Sequence, residues 1–159
     1  MDSSLFAHRS QALRRGRFSE PGRAYLLTAV TLERKPMFLD WQSARLLIAE
    51  MRRLHDESQA RSLAWVVMPD HLHWLVQLES LPLQQLMQRL KSRSAIAINR
   101  LTGNIGRPLW QRGFHDHALR REEDLAAVAR YVVANPLRAK LVPRLGDYPH
   151  WDAVWLPGT

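Results

Sequence analysis

The segment from Leu63 to Leu78 constrains this chain more than any other. Leu63 to Met68 reads as a strand, Pro69-Asp70 as a turn and His71 to Leu78 as the returning strand. Proline holds the φ that a turn needs, and an aspartate side chain bonds to nearby backbone amides. The returning strand has a period of two. Leu72, Trp74, Val76 and Leu78 point one way, and His71, His73, Leu75 and Gln77 point the other. One face of such a strand belongs in a core. The other presents two imidazoles at i and i+2, which can offer two nitrogens to one divalent cation. Pairs of this spacing also stand unligated on exposed strands.

The remaining pattern supplies partners for this hairpin. Tyr25 to Thr31 is rich in strand formers. A helix fits Trp41 to Asp56, with Ala44, Leu47, Ile48, Met51 and Leu54 on one face. A second helix fits Leu83 to Leu101, with a stripe of Leu83, Leu86, Leu90, Ala97 and Leu101, and Gly103 and Gly106 to end it. Leu109 to Leu119 reads as a fourth strand. Glu122, Glu123 and Asp124 open a third helix at the end where its dipole favours negative charge, and Pro136 stops it near Ala134 or Asn135. The order βαββαβα predicts an α+β fold, a ferredoxin-like or RRM-like plait: an antiparallel sheet with helices on one face, plus a C-terminal helix. The histidine face of the sheet is expected to be open. Residues 1–22 read as a flexible basic tail, 23–142 as one catalytic or binding domain, and 143–159 as an aromatic tail that packs on the domain or on a ligand.

Charge narrows the class of partner. The chain has 159 residues, no Cys, and 23 Lys and Arg against 15 Asp and Glu, a net charge of +8. Residues 80–121 hold eight of the basic residues and one acid, Asp116. A polyanion follows as the partner, nucleic acid before a membrane surface. The absence of Cys excludes disulfide frameworks, thiol nucleophiles and Cys-ligated zinc. Without a secretory h-region or a run of about 20 apolar residues, the chain reads as cytoplasmic with no membrane partner. The basic candidates are Arg89, Lys91, Arg93 and Arg100 on the second helix, and Arg107, Arg112, Arg120 and Arg121 flanking the fourth strand. His115-Asp116-His117 repeats the spacing of the first histidine pair, but Asp116 falls on the opposite strand face, so His115 and His117 are better read as phosphate or base contacts than as a metal site. Trp110 and Phe114 fit base stacking and core packing equally well.

Met68 to Val76, Leu90 to Ser94, Leu109 to Phe114 and Tyr131 to Ala139 together resemble, in this order and spacing, the REP-associated tyrosine transposases, within the superfamily of single-tyrosine transposases that carry an HUH motif. The resemblance covers roughly residues 23–156. It implies an enzyme that cleaves and rejoins single-stranded hairpin DNA. A helical tyrosine attacks the phosphodiester to give a 5′-phosphotyrosine and a free 3′-OH. It implies Tyr131 as the nucleophile, His71, His73 and Asn135 as ligands of Mg²⁺ or Mn²⁺, and Lys91 and Arg93, on either side of Ser92 in a shared segment, as the favoured phosphate contacts. A monomer is implied, with a dimer as the alternative.

The residues themselves are consistent with that chemistry. Leu125, Val128, Ala129 and Val132 form the buried stripe of the third helix, which sets Tyr131 about 100° to one side and Asn135 one turn further along the same edge. A phenol of pKa about 10 is a weak nucleophile near pH 7, so a cation on the phosphate would be needed to raise the electrophilicity of phosphorus. Two imidazoles and an amide make a mixed donor set, and Mn²⁺ is expected to serve at least as well as Mg²⁺. Two other readings stand beside this one: a DNA-binding module that recognises palindromic repeats without cutting, and a metal-dependent nuclease that uses water.

Overall fold

The computed structural model describes residues 19–20, 22–120 and 124–154. The N-terminal tail proposed for residues 1–22 lies almost wholly outside them, as do Arg121, Glu122, Glu123 and Trp155. Five strands are described: β1 Ala24–Val30, β2 Ala60–Met68, β3 His71–Leu78, β4 His115–Ala118 and β5 Trp151–Ala153. The helices are α1 Trp41–Asp56, α2 Leu83–Thr102, α3 Leu125–Val133 and the single turn α4 Asn135–Arg138. The strands form one antiparallel sheet in the order β4-β1-β3-β2-β5, with β3 at its centre. This is the predicted α+β plait, with two helices on one face and the helix bearing Tyr131 added to it.

Alternation along β3 divides the apolar residues into two cores. Leu72, Trp74, Val76 and Leu78 join Tyr25, Leu27 and Ala29 of β1 beneath α1 and α2. Leu75 joins Leu26, Val66 and Met68 on the other face, where α3 lays down Val128, Ala129, Val132 and Val133. Each valine so buried contributes about 1.5–3 kcal/mol. The face expected to be open is therefore covered along β2 and β3 by α3. The stripe of α2 runs through Leu83, Leu86, Met87, Leu90, Ser94 and Ile98, and Leu101 at its end is exposed. A 3.6-residue period drifts off a seven-residue count, so Ile98 replaces Leu101 at the core.

Three further elements differ from the sequence reading. The fourth strand is shorter than Leu109–Leu119: Trp110 makes one bridge to Thr31, Gly113 turns the chain with φ +73°, and regular pairing begins at His115. The ammonium of Lys91 explains the interruption, since it bonds the carbonyls of both Gln111 and Gly113 and draws that loop onto α2. The aromatic tail supplies a strand that periodicity did not reveal. β5 pairs with β2, the Tyr148 hydroxyl donates to the Val67 carbonyl, and the Val67 amide donates to the His150 carbonyl at 2.9 Å. Trp110 and Phe114 belong to the core, and the Trp110 indole N–H donates to Ser94 Oγ at 3.0 Å. Ser94→Ala removes the acceptor of a buried donor and is expected to cost about 1–3 kcal/mol in urea unfolding. Trp110→Ala should cost about 3–5 kcal/mol, with unchanged DNA affinity in the fraction that folds.

Candidate active site

His71 and His73 stand on β3 with ring centres 4.8 Å apart, edge to face. Each has its Nδ1 engaged: His71 with Asp70 Oδ1 at 2.7 Å, and His73 with Thr28 Oγ1 at 2.8 Å. If both Nδ1 atoms carry the proton, both Nε2 atoms present lone pairs, the tautomer that a metal-ligating pair requires. The fold holds these partners in place. Thr28 is the direct cross-strand neighbour of His73. Asp70 ends the β2–β3 turn, and its carbonyl accepts from both the amide and the hydroxyl of the fully buried Thr31. Arg34 reaches the second carboxylate oxygen of Asp70 at 3.3 Å. It does so from a loop in which Glu33 and Arg34 both take left-handed φ values, a conformation costly for side chains larger than glycine.

The charges follow from this arrangement. Burial alone would raise the carboxyl of Asp70, but the hydrogen bond and charge of His71, then those of Arg34, outweigh it and hold the group below its ordinary value. Burial pushes the His73 imidazole down to about 3, and the like charges of His71, Arg138 and His115 add to the effect. His73 is therefore neutral at any physiological pH, as a ligand must be.

Helix α3 brings Tyr131 to this face, half-buried beside the stripe of Val128, Ala129, Val132 and Val133. Asp124 caps the helix by accepting from the Ala126 amide at 2.9 Å. At the other end Pro136 has no N–H for the carbonyl of Val132, and the Asn135 side chain supplies one from Nδ2 at 2.8 Å. That bond orients the amide and makes its Oδ1 the atom that could ligate a cation. Among the described residues no three His, Asp or Glu side chains converge on a metal position. A divalent ion on the histidine pair would need Asn135, water or substrate oxygens as well, and two imidazole nitrogens with one amide oxygen are donors of a kind that Mn²⁺ accepts.

Arg138 is the residue that sequence reading missed. Its guanidinium carbon lies 3.9 Å from the centre of the Tyr131 ring, and its charge acts on His73. The spacing of seven from Tyr131, two helical turns, was the available signal. Thr28, Arg34 and Asp70 were missed too, because their roles depend on cross-strand register.

The other candidates are dispersed. His115 and His117 share the face of His73, since His115 and His73 both pair with Thr28, while Asp116 points into the opposite core. Arg112 and Arg120 are exposed on either side of β4. Arg89, Arg93 and Arg100 lie on α2, behind the sheet from the histidine pair. Arg89 bonds Gln59 and Arg93 pairs with Glu57 at 3.2 Å. The favoured contact Lys91 is spent on the two carbonyls of the 111–113 loop. Arg121 lies outside the described residues. No helix of the described residues is long and apolar enough to cross a membrane.

Comparison with known proteins gives the fold and the family. Among solved structures, a REP-associated tyrosine transposase bound to a REP hairpin has a TM-score of 0.69 at 23% identity, over 85% of this chain and 79% of that one. A candidate transposase from Deinococcus radiodurans R1 has a TM-score of 0.55 at 22% identity, over 74% of this chain and 93% of that one. At these identities both speak for the fold. No curated protein matches the chain. The family model described as "Transposase IS200 like" matches residues 22–135, a span from the start of β1 through His71, His73 and Tyr131 to Asn135. With well over half of its length matched, the chain belongs to the family of IS200-like transposases.

Proposed function

We propose that this chain is a single-tyrosine DNA nickase and strand-transferase of the REP-associated kind, acting on single-stranded DNA that folds into a palindromic hairpin. The observation that carries this reading is that Tyr131 and His73 share a neighbour. Arg138 lies 3.9 Å from the centre of the Tyr131 ring and is close enough to His73 to lower its proton affinity. This shared neighbour supports a site built within one chain, and one copy is the proposed working unit.

In this mechanism the Tyr131 hydroxyl attacks the phosphorus and yields a 5′-phosphotyrosine and a 3′-OH. The covalent link conserves the bond for the reverse, joining step. His71 and His73, oriented by Asp70 and Thr28, together with Asn135 Oδ1 would hold Mg²⁺ or Mn²⁺. The ion, when bound, supplies Lewis-acid polarisation of the phosphate. Arg112, Arg120, His115 and His117, at the β4 edge beside this face, are the proposed backbone and base contacts. The α2 arginines would meet only DNA that wraps past that edge.

Incubation with a pool of single-stranded hairpin oligonucleotides and Mn²⁺ should give a denaturant-resistant protein–DNA adduct, whose sequencing maps the attacked phosphate. Tyr131→Phe should lose the adduct, retain hairpin binding and change stability by no more than about 0.5 kcal/mol. His73→Ala should also lose it. Hairpin binding by the wild type without any adduct would identify a binding module instead.

Affinity should fall with salt by about 0.7 log units per tenfold salt for each single-strand phosphate contact. Arg112→Ala and Arg120→Ala should each flatten that dependence by one contact. Lys91→Ala should leave the slope alone and lower the melting temperature.

His73, half-buried on β3, also ties stability to pH. Unfolded, it takes up a proton near 6.5; folded, only near 3. Between those values the unfolded state binds more protons, so this contribution is whole above about pH 6.5 and drains away as the pH falls towards 3. Thermal melts from pH 7 to 4 should show the decline, and His73→Gln should reduce its slope.

A further inference from the structure

We propose that Arg138 is a catalytic residue that binds a non-bridging oxygen of the phosphodiester attacked by Tyr131. The proposal deepens the reading of Tyr131 as the nucleophile and rests on it.

The geometry is specific. The guanidinium lies 3.9 Å from the centre of the Tyr131 ring, on the helical turn that follows the break at Pro136. Contact through the ring face leaves the N–H donors available to an anion. Other arginines of the described residues have carboxylate partners: Arg34 pairs with Asp70 and Arg130 with Asp124 on the side of the sheet that bears Tyr131, and Arg93 with Glu57 behind it. Arg138 is exposed, and no carboxylate pairs with it among the described residues. The one acid held against the histidine pair, Asp70, is already taken by His71 and Arg34. Among the described residues the guanidinium is thus a cation without a carboxylate counter-ion, beside the phenol and within electrostatic range of His73. A phosphate that approaches both must come close to it.

The chemistry needs a cation there. The bond from Tyr131 Oη to phosphorus forms as the bond from phosphorus to O3′ breaks. The phenol proton passes to solvent, the leaving O3′ takes the electron pair of the broken bond, and it gains a proton from water. Negative charge accumulates on the non-bridging oxygens between these events. A planar guanidinium matches those oxygens with two N–H bonds at once, which an ammonium does not. An arginine that meets this charge typically accounts for 10³–10⁵ in rate, and a single preorganised donor for about 10²–10³.

The test uses the full chain, Mn²⁺ and the hairpin oligonucleotide whose attacked phosphate the adduct maps. Single-turnover adduct formation is compared on the natural phosphodiester and on a methylphosphonate at that one position, which is neutral. On the phosphodiester, Arg138→Ala should be slower by about 10²–10³-fold, with Arg138→Lys between it and the wild type. Hairpin affinity and melting temperature should change little, because the side chain is exposed. On the methylphosphonate the gap between wild type and Arg138→Ala should shrink to within about threefold, since no anionic oxygen remains to be neutralised. Equal rates on the phosphodiester overturn the assignment. So does an equal gap on both substrates, which would mark Arg138 as a support for the tyrosine rather than a phosphate ligand. Both results leave the nucleophile intact, whereas a wild type that forms no adduct on either substrate overturns the underlying function together with this inference.

Discussion

The strict alternation of β3, the central strand, is the constraint on which the rest of the structure depends. Its even-numbered residues Leu72, Trp74, Val76 and Leu78 are all but fully buried under α1 and α2. Its odd-numbered residues carry the imidazoles and, at Leu75, the seat for α3. A slip of one residue would drive both histidines into the core and Trp74 into the active face. The two-residue turn at Pro69-Asp70 and the double hydrogen bond from Thr31 to Asp70 hold that register. Trp74 adds a lock of its own, because its indole N–H is satisfied only by Ser62, beside the bulge in β2.

The same register sets the electrostatics of the site. Pairing Thr28 with both His73 and His115 places three polar side chains in one row across β3, β1 and β4. Asp70 emerges at the end of the turn, where it can orient His71 but is itself held by Arg34. The neutral imidazole of His73, a carboxylate already spoken for at Asp70 and a guanidinium at Arg138 that no carboxylate pairs leave this surface, among the described residues, without unpaired negative charge. The proposed reaction, in which a phosphate and a divalent cation arrive together, requires such a surface. The helix break at Asn135-Pro136 contributes as well: the proline removes a backbone donor, the asparagine replaces it, and the chain then turns Arg138 back over Tyr131.

Periodicity was most informative where one face of an element meets one core. The hairpin, α1 and α3 follow it closely. It failed where tertiary contacts override local preference. Lys91, a cation in a basic helix, reads as a phosphate contact until the 111–113 loop folds across it. β5 is only three residues long and pairs with a strand more than 80 residues earlier, so no local pattern announces it. Trp110 looked equally suited to stacking on a base, and the acceptor that claims it, Ser94, sits on another element.

The amino-acid sequence by itself determined the alternating faces of the strands, the amphipathic stripes of the helices, the basic block and the presence of His71, His73, Tyr131 and Asn135. These are properties of residues at fixed spacing along one chain, and spacing survives without tertiary information. Only the tertiary structure decided that α3 lies on the histidine face, that Thr28 and Asp70 orient the two imidazoles, that the arginines of α2 stand behind the sheet, and that Arg138 lies over the Tyr131 ring. Those facts rest on which strand pairs with which and in what register. Hydrogen bonds and buried area between segments far apart in the chain settle that pairing, and no local propensity records it.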